Sequence, residues 1–139
     1  MNEVSSRTPT RRHRSVPVRG GVAAALAVLV NAVLVAGLSS LGVAPGFDAL
    51  TLPPVAFLSA VGAVGAALVY WALSRYVADA NRVFVRVAGV VLVLSFVPDV
   101  ALLALDPAAT VLGVVALMMM HVTVAVASVW ALVYWGSGR

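Results

Sequence analysis

The chain has 139 residues, of which 63% are hydrophobic and 10% charged, with a formal net charge of +4. A soluble domain carries roughly 25% charged residues, so this composition excludes a water-solvated fold and points to a bilayer as the solvent. There is no cysteine and no lysine, which excludes disulfides, thiolate metal sites, thiol nucleophiles and lysine Schiff bases within the chain.

Residues 1–19 (MNEVSSRTPTRRHRSVPVR) are polar and basic, with Arg7, Arg11, Arg12, Arg14 and Arg19 and no apolar repeat. They are expected to form a disordered tail. Its charge is read as a topogenic signal and an attraction for anionic lipid, not for nucleic acid. The first apolar segment covers 20–41 and holds Asn31 in mid-span. It is expected to stay attached, because its apolar run exceeds the roughly 7–15 residues of a signal peptide and no A-x-A site follows. A linker with glycine, proline and Asp48 leads to the second segment, 52–73, which opens on Pro53–Pro54. Proline is tolerated there because a first-turn amide has no intrahelical partner. The next linker, 74–82, carries Arg75, Asp79 and Arg82. The third segment is 83–105, and Asp106–Pro107 alone separates it from the fourth, 108–135, which predicts a tight antiparallel hairpin. Each segment is longer than the roughly 20 residues needed to span the hydrocarbon. The fold class is therefore all-α, an integral membrane four-helix up-down bundle, with residues 136–139 as its C-terminal end.

Orientation follows from charge. Arginine concentrates in short cytoplasmic loops. The tail, the 74–82 loop with nearby Arg86, and Arg139 hold all the arginines, while the 42–51 and 106–107 turns hold none. With four spans they all fall on one side. Tyr70, Trp71, Tyr76, Trp130, Tyr134 and Trp135 cluster near the ends of the second and fourth segments. Those ends emerge on the same side, so the six are expected to form an interfacial belt. The chain is thus placed in the plasma membrane with both termini cytoplasmic.

Inside lipid, helices associate through close packing of small residues. The second segment offers Ser59, Ala63 and Ala67 at four-residue spacing, with Gly62 and Ala66 alongside, and the first offers Ala32 and Ala36. These faces are expected to join the first two helices. The same faces would also suit a homodimer or another membrane partner.

Four of the polar side chains inside the apolar segments are the candidate ligand or proton sites: Asp99, His121, Ser95 and Asn31. Asp99, in SFVPDVALL, lies roughly 9 Å inside the outer end of the third helix at 1.5 Å per residue. A carboxylate at that depth is costly unless paired or protonated. Pro98 removes a backbone hydrogen bond, kinks the helix and frees the Leu94 carbonyl, and Ser95 lies one turn before Asp99 on the same face. His121 sits mid-span in the fourth helix after Met118, Met119 and Met120, on a stripe with Val114, Ala125 and Ser128. By helix rise it lies about one turn deeper than Asp99, so a contact needs an offset between the two helices. Asn31 lies at about the depth of His121 and must find a partner; a bond to His121 is one reading, and structural glue between helices is another. Three consecutive methionines fan around a helix and do not converge on a metal, and a lone membrane histidine cannot supply two haem ligands, so no metal and no cofactor is assigned. No catalytic residue is assigned either.

The basic tail, the four spans, "SFVPD" in the third helix and "ALMMMHVTVAVA" in the fourth resemble an uncharacterised prokaryotic family of four-helix membrane proteins, a domain of unknown function. The pairs Pro98–Asp99 and Met120–His121 carry the resemblance, which covers residues 18–135. It implies four-helix topology and brings no activity. The chain is more distantly similar to DoxX-like membrane proteins, some of which work beside quinone-linked oxidases. Three functions stay open: binding or passing a small ligand or proton at Asp99, Ser95 and His121; a quinone-associated redox subunit; or a structural, partner-binding protein. A cavity reaching Asp99 from outside would favour the first. A lateral, lipid-facing groove lined by Trp, Phe and Met near His121 would favour the second. A tight bundle with every polar group paired would favour the third.

Overall fold

A computed structural model describes residues 15–135; the rest of the basic tail, with His13, and the C-terminal residues 136–139 lie outside the described residues. Four helices follow one another: α1 (Val16–Ser40), α2 (Leu52–Tyr76), α3 (Ala80–Leu105) and α4 (Val111–Val129), the last continuing into a π-helical turn at Trp130–Tyr134. Among the described residues there is no strand. All four helices are long and apolar enough to cross a membrane. The end where α1 begins is called proximal below, and the opposite end distal.

Two boundaries differ from the sequence reading. Helix α1 begins at Val16, so Val16–Arg19 leave the expected tail and become helical. Pro17 lies in its first turn, where a fixed φ already suits a helix. Helix α4 begins at Val111, so the hairpin between α3 and α4 runs from Asp106 to Thr110 instead of being Asp106–Pro107 alone. Asp106 Oδ1 accepts the Ala108 amide at 2.9 Å and Thr110 Oγ1 accepts the Gly113 amide at 3.0 Å. These are an Asx turn and a helix N-cap, which hold the added residues in the turn.

At its distal end α1 stops in a Schellman motif. The Val43 amide bonds to Leu38 O and the Gly42 amide to Ser39 O, with Gly42 at φ +66°. The loop then folds back over the bundle, and Phe47 and Leu50 are buried against Val35, Leu117 and Met120. Gly113 makes room for it: a Cβ there would sit 3.0 Å from Ala44 Cβ and 3.1 Å from Phe47 Cδ1.

Helices α1 and α2 share the most extensive interface in the molecule. Its α1 stripe is Arg19, Ala23, Ala27, Asn31 and Val35, all buried at four-residue spacing. Its α2 stripe includes Val55, Ser59 and Ala63. Ala23 and Ala63 pack with Ala131 as a fully buried group. A Cβ on Gly20 would lie 2.7 Å from Ala67 Cβ, so the two backbones approach as closely as small residues permit. Ser59 and Ala63 thus serve the interface as expected, whereas Ala36 is exposed and Ala32 only half-buried. A stripe through Ala23 and Ala27 passes Asn31 and Val35, and residues one position on are turned by about 100°.

Helix α3 is held differently. In its most apolar stretch 6% of residues are buried, against 39% in α4, and Phe84 and Asp99 are its only buried side chains. It is continuous through Pro98. Phe84 meets Tyr70 edge to face, with ring centroids 5.2 Å apart. Tyr70 is 7% exposed and is therefore core, not part of the expected belt. Its hydroxyl donates to Asn81 Oδ1 at 2.8 Å.

Candidate functional site

Helix α3 packs along α4 but approaches α2 less closely. Its inward residues Val87, Val91 and Leu92 are bulky, two of them β-branched, and cannot approach α2 as Ala23 approaches Ala63. A cavity of about 530 Å³ results, bounded by α2, α3 and α4 and open to the side of the bundle. Its walls are almost wholly apolar, among them Val55, Gly65, Phe84 and Met120. The polar side chains that line it are Asn31, Ser59, Ser95, His121 and Ser128. Ala49 of the distal loop closes one end.

His121 is the titratable residue on this wall. Its Nδ1 lies 3.0 Å from Asp99 Oδ2 and 3.0 Å from the Leu117 carbonyl oxygen. The sequence reading left this contact dependent on the helix offset, and two features close the gap. The later start of α4 removes three residues of offset. Cβ atoms also lean toward the N-terminus of their own helix, so on antiparallel helices Asp99 leans inward and His121 outward, toward each other. The Nδ1–H direction favours the Leu117 carbonyl, and Asp99 Oδ2 lies beside the same proton off its axis, otherwise without a hydrogen-bond partner. Its hold on the ring is electrostatic more than directional.

Two oxygens around Nδ1 settle where the ring proton sits. A carbonyl oxygen only accepts, so Nδ1 carries hydrogen. Nε2 makes no hydrogen bond and is not enclosed. Neutral His121 therefore offers Nε2 as an acceptor, and the doubly protonated ring offers it as a donor. Asp99, 5% exposed, is not among the residues that line the cavity and stands behind the histidine.

The other candidates divide. Ser95 lines the cavity, but its hydroxyl donates to Leu92 O at 2.7 Å and not to Asp99. Asn31 does not bond to His121. Its Nδ2 donates to Ser59 Oγ at 2.8 Å and to the Met120 carbonyl at 3.3 Å, which ties α1, α2 and α4 together. Asn31 Oδ1 and Ser128 Oγ are buried without a partner. Among the described residues no three His, Asp or Glu side chains gather in a metal-binding group. The sequence reading took Ser59 only as a small packing residue and missed its bond to Asn31. It also missed Arg19, although Arg19 lies four residues before Ala23 on the same stripe.

A family model matches residues 5–136, nearly the whole chain. The protein belongs to DUF6069, a family of unknown function. No curated protein and no solved structure matches this DUF6069 chain, and the likeness to DoxX-like proteins is without support. The family supplies no chemistry, so the cleft and its histidine are what a functional reading of this DUF6069 protein has to work from.

Proposed function

We propose that the chain is a multi-pass plasma-membrane protein, both termini cytoplasmic, that takes a lipid-soluble small molecule sideways from the bilayer into the α2–α3–α4 cleft. The molecule's polar group bonds to His121 Nε2, and Asp99 is the positioning residue that fixes the ring. The observation that carries this reading is His121 Nε2, without a hydrogen bond, on a largely apolar cavity between membrane-length helices. A cavity of this size and lining suits an apolar ligand with one or two polar groups. A purely structural role fits less well, since Asn31 Oδ1 and Ser128 Oγ are buried without hydrogen-bond partners and buried polar groups kept for glue alone are normally paired.

A quinone is the second reading within this class. Its oxygen alternates between carbonyl and hydroxyl, and His121 Nε2 alternates between donor and acceptor, so either form finds a partner. Phe84 and Met120 on the cavity walls support it, while the tryptophan expected of such a groove is not among the lining residues.

Protein purified from membranes in mild detergent is extracted with organic solvent, and the extract is read by mass spectrometry. Gly65 lines the cavity and a Cβ there meets open space, so Gly65→Phe is the variant chosen to occupy the cleft. The wild type should release a lipid-soluble molecule that Gly65→Phe has lost and His121→Ala holds about tenfold more weakly, as expected for a lost hydrogen bond in an apolar site. Identical extracts from wild type and Gly65→Phe would end the proposal.

A further inference from the structure

A second site lies at the proximal end, away from the cleft. Arg19 is 8% exposed, and an ion so far withdrawn from water needs compensation. Its Nε donates to the Ala131 carbonyl at 3.2 Å. That carbonyl is available because the chain forms a π-turn there. The Trp135 amide, which would reach Ala131 O in an α-helix, bonds to Trp130 O at 2.9 Å instead. The guanidinium also lies over the Tyr70 ring, 5.1 Å from its centroid, and Tyr70 is itself fixed by Asn81 and Phe84. Three helices therefore hold one cation in one orientation.

What they do not supply is an anion. Among the described residues no carboxylate pairs with Arg19: Asp79 pairs with Arg82, and Asp99 lies beside His121. Among the described residues the two terminal nitrogens of Arg19 have no hydrogen-bond partner, and neither is fully buried. The anchored Nε fixes the plane of the guanidinium and leaves its outer edge free. Such an edge matches two oxygens of one phosphate. Arg75 provides a contrast: it stacks on Trp71 at 4.7 Å but is exposed, with no backbone anchor.

We infer that Arg19, anchored by the Ala131 carbonyl and the Tyr70 ring, is a phosphate-binding site at the proximal end of the bundle. The position fits a lipid headgroup. Arg19 is in the first turn of α1, and exposed Trp71, Tyr76, Trp130 and Tyr134 lie at the same end, the residue types that settle at headgroup level. A free phosphate offers the same oxygens, and the experiment separates the two.

The full chain in a neutral detergent is titrated with micelles carrying phosphatidylglycerol, with micelles carrying a neutral glycolipid, and with inorganic phosphate alone. The readouts are thermal unfolding and retained lipid by native mass spectrometry. Phosphatidylglycerol should bind saturably and raise the unfolding temperature, and the glycolipid should not. Arg19→Lys keeps the charge but loses the fork and the Nε anchor, and should bind about tenfold more weakly. Arg75→Gln should bind as the wild type does. Protection by inorganic phosphate alone, lost in Arg19→Lys, would support the site and name the aqueous anion as its source. Equal binding by Arg19→Lys and wild type, or equal protection by the glycolipid, would overturn the inference.

Discussion

The α1–α2 interface and the α2–α3 cleft are built from the same apolar alphabet with opposite results. Alanine and glycine at four-residue spacing bring α1 and α2 into close contact and leave room for one bridging amide, Asn31, and one bonded hydroxyl, Ser59. Valine and leucine at the facing positions of α3 hold it off, so it touches down at Phe84 and Asp99 and leaves a cavity between. In lipid, apolar bulk is no incentive to associate. Side-chain size on both partners therefore sets the distance between helices: α1 meets α2 through alanine and glycine, whereas across the cavity Val87, Val91 and Leu92 of α3 line the space beside Gly62, Gly65 and Ala66 of α2.

Overfilling the tight side should have the largest effect. Ala63 is fully buried, and Ala63→Leu should destabilise the bundle by about 3 kcal/mol, measured by unfolding in a denaturing detergent. A change below about 0.5 kcal/mol would mean that the two interfaces are equally loose. Asn31→Ala comes next. It breaks two interhelical bonds, and about 1–2 kcal/mol is expected. A double-mutant cycle with Ser59→Ala should return a coupling near ~0.6 kcal/mol, and additive losses would remove Asn31 as a shared tie.

On the loose side the expected effects on stability are smaller and those on the ring are specific. Asp99→Asn retains the shape and should change stability by about 1 kcal/mol or less. It should still disturb His121. The chain has two histidines, His13 and His121, so a His13→Gln background gives one labelled ring. Its nitrogen spectrum should show hydrogen on Nδ1 in the parent and a mixture of tautomers in Asp99→Asn. An unchanged spectrum would deny Asp99 its positioning role. Least of all, Val93→Leu on the outer face of α3, where Val93 is 65% exposed, should stay within about 0.5 kcal/mol of the parent.

Much of this architecture is legible in the sequence, for a reason specific to membranes. A span must satisfy its own backbone, so long apolar stretches become helices whatever they pack against. Ser59 and Ala63 could be named as packing residues because small side chains at four-residue spacing have few other uses there. Arg19 was misread because charge density was weighed over the local stripe, and Tyr70 because tyrosine near a span end usually seeks the interface. The partner of Asn31 was missed because hydrogen-bond geometry across three helices has no counterpart in spacing along one.

Composition and segment length alone determined that the chain is all-α with four helices able to cross a membrane, since hydrocarbon permits little else. Only the tertiary structure decided that Asp99 meets His121, that Asn31 turns to Ser59 and Met120, that α3 stands clear of α2, and that a π-turn offers Arg19 a carbonyl. Those outcomes depend on helix offsets of a few ångströms, on the rotation of each helix about its axis and on the lean of each Cβ. These are set by the fit of one helix against another, which no single segment encodes.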